Sequence, residues 1–339
     1  MPFFIIDKLK SLIFVNGINY LYNNNIKKII VYMSILSEIE RIQTAKTDIK
    51  DAIEKMGEVI PSETKLSEYA PFIEQISKEQ CLLTSVNINT ISSPVKICGN
   101  ASYVTNAFDY IEIDGVRQEN VQPSYTFDRV GTHIIRYKLK DKTQISQRAF
   151  NEQTSLTGMV IPSSVTTIGT HCFHGARALE TVRIPANVTN IETGAFWEIQ
   201  AATLITVDEN NEVYDSRDNC NAIIETATNK LIQGCMTTVI PNTVTAIDAY
   251  AFEALTGLTE ITIPSSVTTI GQRAFQGCTA LETFIFESET PPQLGNTSLD
   301  ALIVTAIYVP DVSVDTYKNA ENWGDFASLI KPISEKPTN

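Results

Sequence analysis

Charged residues, glycine and proline are all scarce in this chain of 339 residues. Lys, Arg, Asp and Glu together make up 19% of it, and there are only 15 Gly and 14 Pro. This composition excludes a disordered, collagen-like or linker-dominated chain and predicts a globular protein. Basic residues are the scarcer charge, with 26 Lys and Arg against 39 Asp and Glu. The net charge of −13 argues against a nucleic-acid partner, because phosphate neutralisation needs clustered Lys and Arg.

The sequence also lacks the common motifs of catalytic and cofactor-binding sites. It contains no G-x-G-x-x-G pattern, phosphate loop, H-E-x-x-H or G-x-S-x-G. Its six cysteines are scattered without a C-x-x-C, which indicates buried thiols rather than a disulfide scaffold or a zinc site. Cys220 and Cys235 flank a predicted hairpin and could pair if the protein is exported. We therefore predict that the protein is not an enzyme, with no catalytic residues, no cofactor and no metal.

No stretch of the chain approaches the roughly 18 apolar residues of a membrane-spanning helix, so we expect no membrane insertion. Residues 1–32 differ in composition from the rest of the chain, with seven Ile, five Asn and no Ala, Glu, Thr or Arg. Asn16, Asn19 and Asn23–Asn25 interrupt the apolar run that a secretory signal needs, so there is no convincing signal peptide. We predict that residues 1–33 are a non-native leader and that translation starts at Met33, with a degenerate export signal as the alternative.

Residues 34–80 carry the pattern of a helical hairpin. Ile35, Ile42, Ile49 and Met56 recur every seven residues, Gly57 fits a helix stop, and a second apolar helical pattern follows. This stretch resembles a short helical module of bacteriophage tail and fibre proteins at Ile42, Ala45–Lys46, Ile49, Ala52–Ile53, Lys55, Gly57, Val59, Pro61, Leu66, Tyr69–Ala70, Ile73 and Ile76. We expect the module to serve attachment or assembly, including association of identical chains.

At residue 81 the apolar residues change from helical spacing to alternation, which predicts strands over 81–142. Asp114-Gly115 between apolar strands is a strong signal for a tight hairpin. The ending from Tyr125 through His133 to Leu139 resembles the last two strands of immunoglobulin-like or PKD-like sandwiches. We therefore predict a small immunoglobulin-like β-domain at 81–142, with His133 on a strand surface.

The dipeptide Ile-Pro marks an internal repeat in the second half of the chain. It begins at Ile161, Ile184, Ile240 and Ile263, at intervals of 23, 56 and 23 residues, so the middle interval holds an insertion of 33 residues. A phenylalanine stands twelve positions after each of these isoleucines: Phe173, Phe196, Phe252 and Phe275. Each unit presents an apolar edge that only a neighbouring unit can cover, which predicts a solenoid of stacked repeats.

The consensus I-P-x-x-V-x-x-I-x-x-x-A/C-F-x-x-x-x-x-L-x-x-V-x-I-P resembles the BspA-like leucine-rich repeat family. We place its repeats at 143–286 with an inserted hairpin at 207–239, and its C-terminal cap at 287–339. The predicted fold class is α/β and β-rich: a leucine-rich repeat solenoid with a C-terminal cap, preceded by a small β-sandwich-like domain and an N-terminal helical hairpin. The resemblance implies a surface-exposed, secreted or phage-associated protein that adheres to a host or matrix.

Two groups of side chains are candidates for a site. His171, Cys172 and His174 form the one His/Cys cluster, but Cys172 occupies a repeat position that points inward, so we expect it to be a core residue. The concave face of the parallel sheet is the candidate binding surface. Its outward residues are Glu180, Thr181, Arg183, Thr259, Glu260, Thr262, Glu282 and Thr283. The alternative for the threonines is that they simply suit exposed strands.

These observations favour a non-enzymatic binding or adhesion protein that recognises a host-surface or matrix protein or a glycan through its repeats. The alternative is a bacteriophage or prophage virion component of the tail or fibre, in which the repeats are a rigid spacer. Either function predicts an extracellular, cell-surface or virion location.

Overall fold

The computed structural model describes residues 81–337, with the exception of 90, 92, 119 and 300–303. These residues belong to one compact unit that spans Pro71–Asn339. The predicted leader at 1–33 and the helical hairpin at 34–80, with its likeness to phage proteins, lie outside the described residues. Within the described part of the chain, no helix has the length and apolar character needed to cross a membrane.

Residues 81–139 form an antiparallel sheet and a short ribbon. Their elements are β1 (Cys81–Ile88), β2 (Val95–Lys96), α1 (Ala101–Ala107), β3 (Phe108–Ile113), β4 (Val116–Gln118), β5 (Ser124–Tyr125) and β6 (Gly131–Leu139). β2 pairs with β5, and the five-stranded sheet has the order β4-β3-β6-β1-β8, in which β8 (Leu156–Val160) comes from the first repeat. Hydrogen bonding between β1 and β8 therefore continues this sheet across the boundary that we predicted at residue 142.

The Asp114-Gly115 pair forms the tight turn between β3 and β4, as predicted. Both residues have positive φ, 48° and 82°, as a two-residue hairpin loop requires. The prediction that His133 lies on a strand surface is wrong, because the side chain is only 1% exposed. Its Nδ1 lies 2.6 Å from the Asp114 carboxylate, and its Nε2 lies 3.0 Å from the carbonyl oxygen of Arg129. Both ring nitrogens have partners, so burial leaves no polar atom of the ring unpaired.

From residue 144 onwards the chain winds into a solenoid, which confirms the predicted β-rich fold class. Successive turns contribute a longer and a shorter strand, and equivalent strands pair in parallel. After β8 the longer strands are β10 (Thr181–Ile184), β12 (Leu204–Val207), β17 (Glu260–Ile263), β19 (Thr283–Phe286), β21 (Ala306–Val309) and β22 (Ile330–Pro332). The shorter strands are β7 (Gln144–Ile145), β9 (Thr167–Ile168), β11 (Asn190–Ile191), β16 (Ala246–Ile247), β18 (Thr269–Ile270) and β20 (Gln293–Leu294).

The repeat phenylalanines form the centre of the core. The ring centroids of Phe173 and Phe196 are 5.4 Å apart and those of Phe252 and Phe275 are 4.9 Å apart, with nearly parallel rings in both pairs. Phe150, from the partial first copy, extends the first stack. All five rings are buried, and the ring of the next turn covers those of Phe150, Phe173 and Phe252. The register of 23 residues that the sequence predicts is confirmed.

Each repeat phenylalanine stands between two residues with left-handed backbone. Around Phe252 these are Tyr250 and Ala254, with φ of 62° and 59°. For residues other than glycine this conformation is unfavourable by roughly 1–2 kcal/mol, so other interactions must stabilise it. The N–H groups of all three residues donate to carbonyl oxygens of the next turn, those of Gln272, Ala274 and Gln276. Around Phe252, the hydrogen bonds between turns therefore hold the left-handed conformation.

The insertion forms a hairpin that enters the short-strand sheet. Its strands are β13 (Tyr214–Asp215), β14 (Ala222–Glu225) and β15 (Lys230–Gly234), with a 3-10 turn at Arg217–Asn219. The sheet order β13-β14-β15-β16-β18-β20 places all three beside the later turns. β14 is buried on both sides, with Ile223 in the core of the earlier turns and Ile224 in that of the later turns. The hairpin therefore divides the solenoid into an early stack (β7 to β12) and a late stack (β16 to β22).

The C-terminal residues cover the last apolar edge of the late stack. They form α2 (Val314–Lys318), β22 and 3-10 turns at Asp311–Ser313, Gly324–Phe326 and Ile333–Glu335. The Trp323 ring is fully buried against Phe286 and Tyr317, and its Nε1 donates to the carbonyl oxygen of Pro292 at 3.1 Å. This buried indole pairs its one polar atom, as a stable cap requires.

Candidate functional site

Side chains of the longer strands alternate between the core and an outward face. Val182 and Ile261 are buried, whereas the neighbouring Arg183 and Glu260 are exposed. None of the eight predicted ligand-binding residues is buried. The exposed ones are Glu180, Arg183, Thr259, Glu260, Thr262 and Glu282, and the half-buried ones are Thr181 and Thr283.

The structure brings these eight residues together in two groups rather than one. Glu180, Thr181 and Arg183 belong to the early stack, where β10 pairs with β12. The other five belong to the late stack, where β17 pairs with β19 and Glu260 lies opposite Thr283. Among the described strands, β12 and β17 do not share a sheet, because the insertion lies between them in the chain. A ligand that uses both groups must therefore span the junction.

The C-terminal segment occupies part of the late outward face. Nζ of Lys336 lies 3.1 Å from the carboxylate of Glu260. Further along this face, Ile285, Ala306 and Tyr308 are buried as a small cluster of their own, separate from the main core. The burial of these three residues was not predicted, although the uninterrupted apolar runs of β19 and β21 are typical of strands buried on both sides. The open part of the late face is therefore limited to β17 and the start of β19.

The His/Cys cluster does not form a reactive site. Cys172 is fully buried, as predicted, and burial raises the pKa of its thiol well above the ordinary value, which keeps it protonated. His174 is half-buried, and its Nδ1 is 2.8 Å from the Asn151 amide nitrogen and its Nε2 is 3.4 Å from Glu198. All six cysteines are free and buried, so Cys220 and Cys235 are not bridged. Within the described residues, no group of three or more His, Cys, Asp or Glu is placed to hold a metal.

An aromatic pair joins the early and late stacks at the insertion. The rings of Trp197 and Tyr250 lie 3.9 Å apart between centroids and 30° from parallel. Beside this pair lies a cleft of about 380 Å³ between the two short-strand sheets. The cleft was not predictable from the sequence, because its residues come from separate turns that the insertion keeps from stacking on each other. The one available signal was the insertion itself.

We expect the stability of the folded protein to fall as pH rises from about 4.5 to about 7, because of Glu253 beside this aromatic pair. Burial raises the pKa of Glu253 to about 7; the carboxylate of Glu198 acts in the same direction and Arg273 in the opposite one. The unfolded chain ionises Glu253 near the ordinary pKa of 4.5, so between these two pH values the native state holds the extra proton. Stability therefore decreases across this window and levels off above it.

Chemical denaturation at pH 4.5 and pH 8 measures this effect. Glu253→Gln cannot ionise, so it should lose less stability than the parent between the two pH values. Glu289→Gln, at an exposed position, is the matched control and should follow the parent. The same pH dependence in the parent and in Glu253→Gln would contradict the prediction.

The comparisons with known proteins support the resemblance found in the sequence. The chain matches the family model described as BspA type leucine rich repeat region (6 copies) over residues 73–203, 143–234 and 231–301. This match confirms the predicted family; the helical module at 34–80 is not matched to phage proteins and stays a prediction. No curated protein matches this chain significantly.

Solved structures of bacterial proteins are also similar. A leucine rich cell surface protein of Faecalibacterium prausnitzii is 26% identical, with 51% of this chain and 52% of that chain covered and a TM-score of 0.38. The pneumococcal vaccine antigen PcpA is 17% identical, with coverages of 50% and 54% and a TM-score of 0.39. A leucine-rich repeat protein of Eubacterium ventriosum is 21% identical, with coverages of 50% and 65% and a TM-score of 0.31. The chain thus spans between half and two thirds of the length of these proteins.

Proposed function

Because this chain belongs to the BspA-type leucine-rich repeat family, we propose that it is a non-enzymatic binding protein that adheres to a host-surface or matrix protein or glycan from outside the cell. The observation that carries the proposal is the pair of outward strand faces. Each presents polar and charged side chains from successive turns at fixed spacing on a rigid core, as solenoid proteins do at their binding surfaces. The acidic overall charge fits a protein or glycan partner better than a nucleic acid.

The binding surface that we propose consists of the exposed charged residues Arg183, Glu260 and Glu282 with the threonines around them. Arg183 belongs to the early stack, and the two glutamates belong to the late stack. The early face has one charge of each sign, Glu180 and Arg183, whereas the late face has two glutamates and only Lys336 to offset them. The late face is therefore the more acidic of the two. A partner that contacts both faces therefore needs an extended surface with charges of both signs.

Replacing Arg183, Glu260 and Glu282 together with Ser should leave the fold stable and weaken attachment. All three are exposed, so the free energy of unfolding should change by within about 0.5 kcal/mol per site. The measurement is binding of the full chain to a panel of immobilised matrix proteins and glycans, with circular dichroism to verify the fold. We expect the parent to bind at least one of them and the triple variant to bind it at least about tenfold more weakly.

The matched control changes the same charges elsewhere: Lys142, Glu289 and Glu321, all exposed and none on a longer strand, are replaced with Ser. This control should bind like the parent. Undiminished binding by the Arg183, Glu260 and Glu282 variant would move the site away from the outward faces. A parent that binds no member of the panel would favour the alternative, a virion component in which the repeats are a spacer.

A further inference from the structure

The cleft at the junction of the two stacks lies on the opposite set of strands from the proposed adhesion surface. Its walls are the turn at 191–197 on the early side and Asp248 with Ala249 on the late side, and hairpin residues including Ile232 and Gln233 line it as well. Its volume of about 380 Å³ is within the range of about 300–1,000 Å³ that is typical of small-molecule sites. None of Arg183, Glu260 and Glu282 lines it.

The cleft interrupts the hydrogen-bonded ladder between turns. Elsewhere, the residue two before the repeat phenylalanine and the phenylalanine itself donate their N–H groups to the next turn, as His171 and Phe173 do. Among the described residues, no such bond joins Gly194 and Phe196 to the following turn. The carbonyl oxygen of Ala251, which would accept from Phe196 in an unbroken ladder, is taken by the Gly234 N–H at 2.8 Å. Two backbone donors of the early wall are therefore left facing the cleft.

The hairpin contributes an unpaired acceptor to the same space. Gln233 is only 3% exposed, and its Nε2 donates to the carbonyl oxygens of Gly234 and Ala251. No described residue donates to its Oε1, although Gln233 lines the cleft. Oε1 is not among the buried unpaired side-chain atoms, so it reaches the open space of the cleft, where it lies with two backbone donors that lack a partner. The cleft therefore offers an outside molecule both donors and acceptors of hydrogen bonds.

The charges around the cleft limit what that molecule can be. Three carboxylates line it, those of Glu192, Glu225 and Asp248, with Lys230 as the single cation; Nζ of Lys230 lies 3.6 Å from Asp248. An anion would be repelled by these three carboxylates, because they line the same cleft. A cation would leave the backbone donors of Gly194 and Phe196 without an acceptor and would be repelled by the Lys230 ammonium. A neutral molecule whose groups both donate and accept hydrogen bonds satisfies the whole set.

We propose that this cleft is a second binding site, specific for a neutral carbohydrate. Sugar hydroxyls donate to the carboxylates and to Oε1 of Gln233, and they accept from Lys230 and from the N–H groups of Gly194 and Phe196. Hydrogen bonds to charged groups are the stronger ones, so the carboxylates supply most of the selectivity. The proposal goes beyond the adhesion surface and does not depend on it, because the two sites share none of the residues that their tests change.

The two tryptophans of the chain make the site directly observable. Trp197 lines the cleft and is half-buried, whereas Trp323 is fully buried in the cap. A sugar in the cleft changes the surroundings of Trp197 alone. Intrinsic fluorescence of the full chain should therefore change saturably on titration with at least one of glucose, galactose, mannose, N-acetylglucosamine and lactose, with calorimetry as a parallel measurement.

The decisive variant is Asp248→Asn, which keeps the shape of the side chain and removes its charge. We expect it to bind the same sugar at least about tenfold more weakly, the loss associated with a charged hydrogen bond. Lys230→Gln tests the opposite side of the ion pair and should also weaken binding. Asp128→Asn, the same change at an exposed residue of the loop between β5 and β6, is the control and should bind like the parent.

Three results would overturn the proposal. The first is the absence of a saturable signal, by both methods, with every neutral sugar. The second is binding of glucuronic acid or glucosamine in preference to the neutral sugars, which would mean that charge governs the site. The third is sugar binding that persists unchanged in both Asp248→Asn and Lys230→Gln, which would place it elsewhere. The Arg183, Glu260 and Glu282 variant should keep sugar binding in the cleft, so failure of either site is distinguishable from failure of the other.

Discussion

Replacing Phe252 with Ala should lower the free energy of unfolding by about 3–5 kcal/mol, the range for emptying a buried aromatic site. The ring is 0% exposed and stacks on Phe275 at 4.9 Å. On its other side it lies against Gly234 of the hairpin, close enough that no side chain would fit between them. The phenylalanine therefore fills the space at the start of the late stack, where the turns meet the insertion, and neither neighbour can move in to close the cavity.

Equilibrium chemical denaturation measures this loss. Val239→Ala is the control, since Val239 is 74% exposed and its truncation should change stability by within about 0.5 kcal/mol. A loss below about 1 kcal/mol for Phe252→Ala would place the ring outside the core, and the repeat register deduced from the Ile-Pro dipeptides would then be incorrect.

Gly234→Ala should lower the free energy of unfolding by about 1–3 kcal/mol, the range for forcing an extra methyl group into a packed core. A Cβ atom at Gly234 would lie 2.2 Å from Cε1 and 2.5 Å from Cζ of Phe252. The ring cannot retreat, because Phe275 lies directly behind it. Glycine is needed here for close approach, as the hairpin strand takes the place that a repeat turn occupies elsewhere.

The smaller Leu at position 252 tests this explanation. Gly234→Ala should destabilise the Phe252→Leu variant less than it destabilises the parent. The difference between the two losses should be at least about 0.5 kcal/mol, because residues in contact show coupling of this size or more. Gly324→Ala is the control, since a Cβ there meets nothing within 4 Å, and it should not be destabilising. Equal costs of Gly234→Ala in both backgrounds would show that the methyl group does not act through the ring.

The sequence alone was sufficient for the repeated part of the fold. The spacing of Phe173, Phe196, Phe252 and Phe275 places all four in the core, because a solenoid requires equivalent positions of successive turns to cover one another. The location of the insertion at 207–239 followed from the same count. The Asp114-Gly115 turn was also predictable, since it depends on two adjacent residues with positive φ.

The conformation around each phenylalanine was not predictable from local sequence. The residue two positions before the ring is His171 in one repeat, Gly194 in the next and Tyr250 after the insertion, yet all three are left-handed. No shared residue type signals this conformation. Hydrogen bonds to the next turn hold His171 and Tyr250 in it against local preference, whereas glycine adopts it at position 194 without such a bond. The burial of His133 was not predictable from local sequence either, because it depends on Asp114 and Arg129, which the fold brings to the ring.

The repeat, its register and its core follow from the period of apolar residues along the chain, so they were predictable before the fold was known. Three features became evident only in the folded protein: the division of the outward face by the insertion, the contact of Lys336 with Glu260, and the cleft between Gly194 and Asp248. These features join residues from turns with no common period. Their positions depend on how the hairpin and the C-terminal segment pack against the turns, and the pattern of apolar residues does not show this packing.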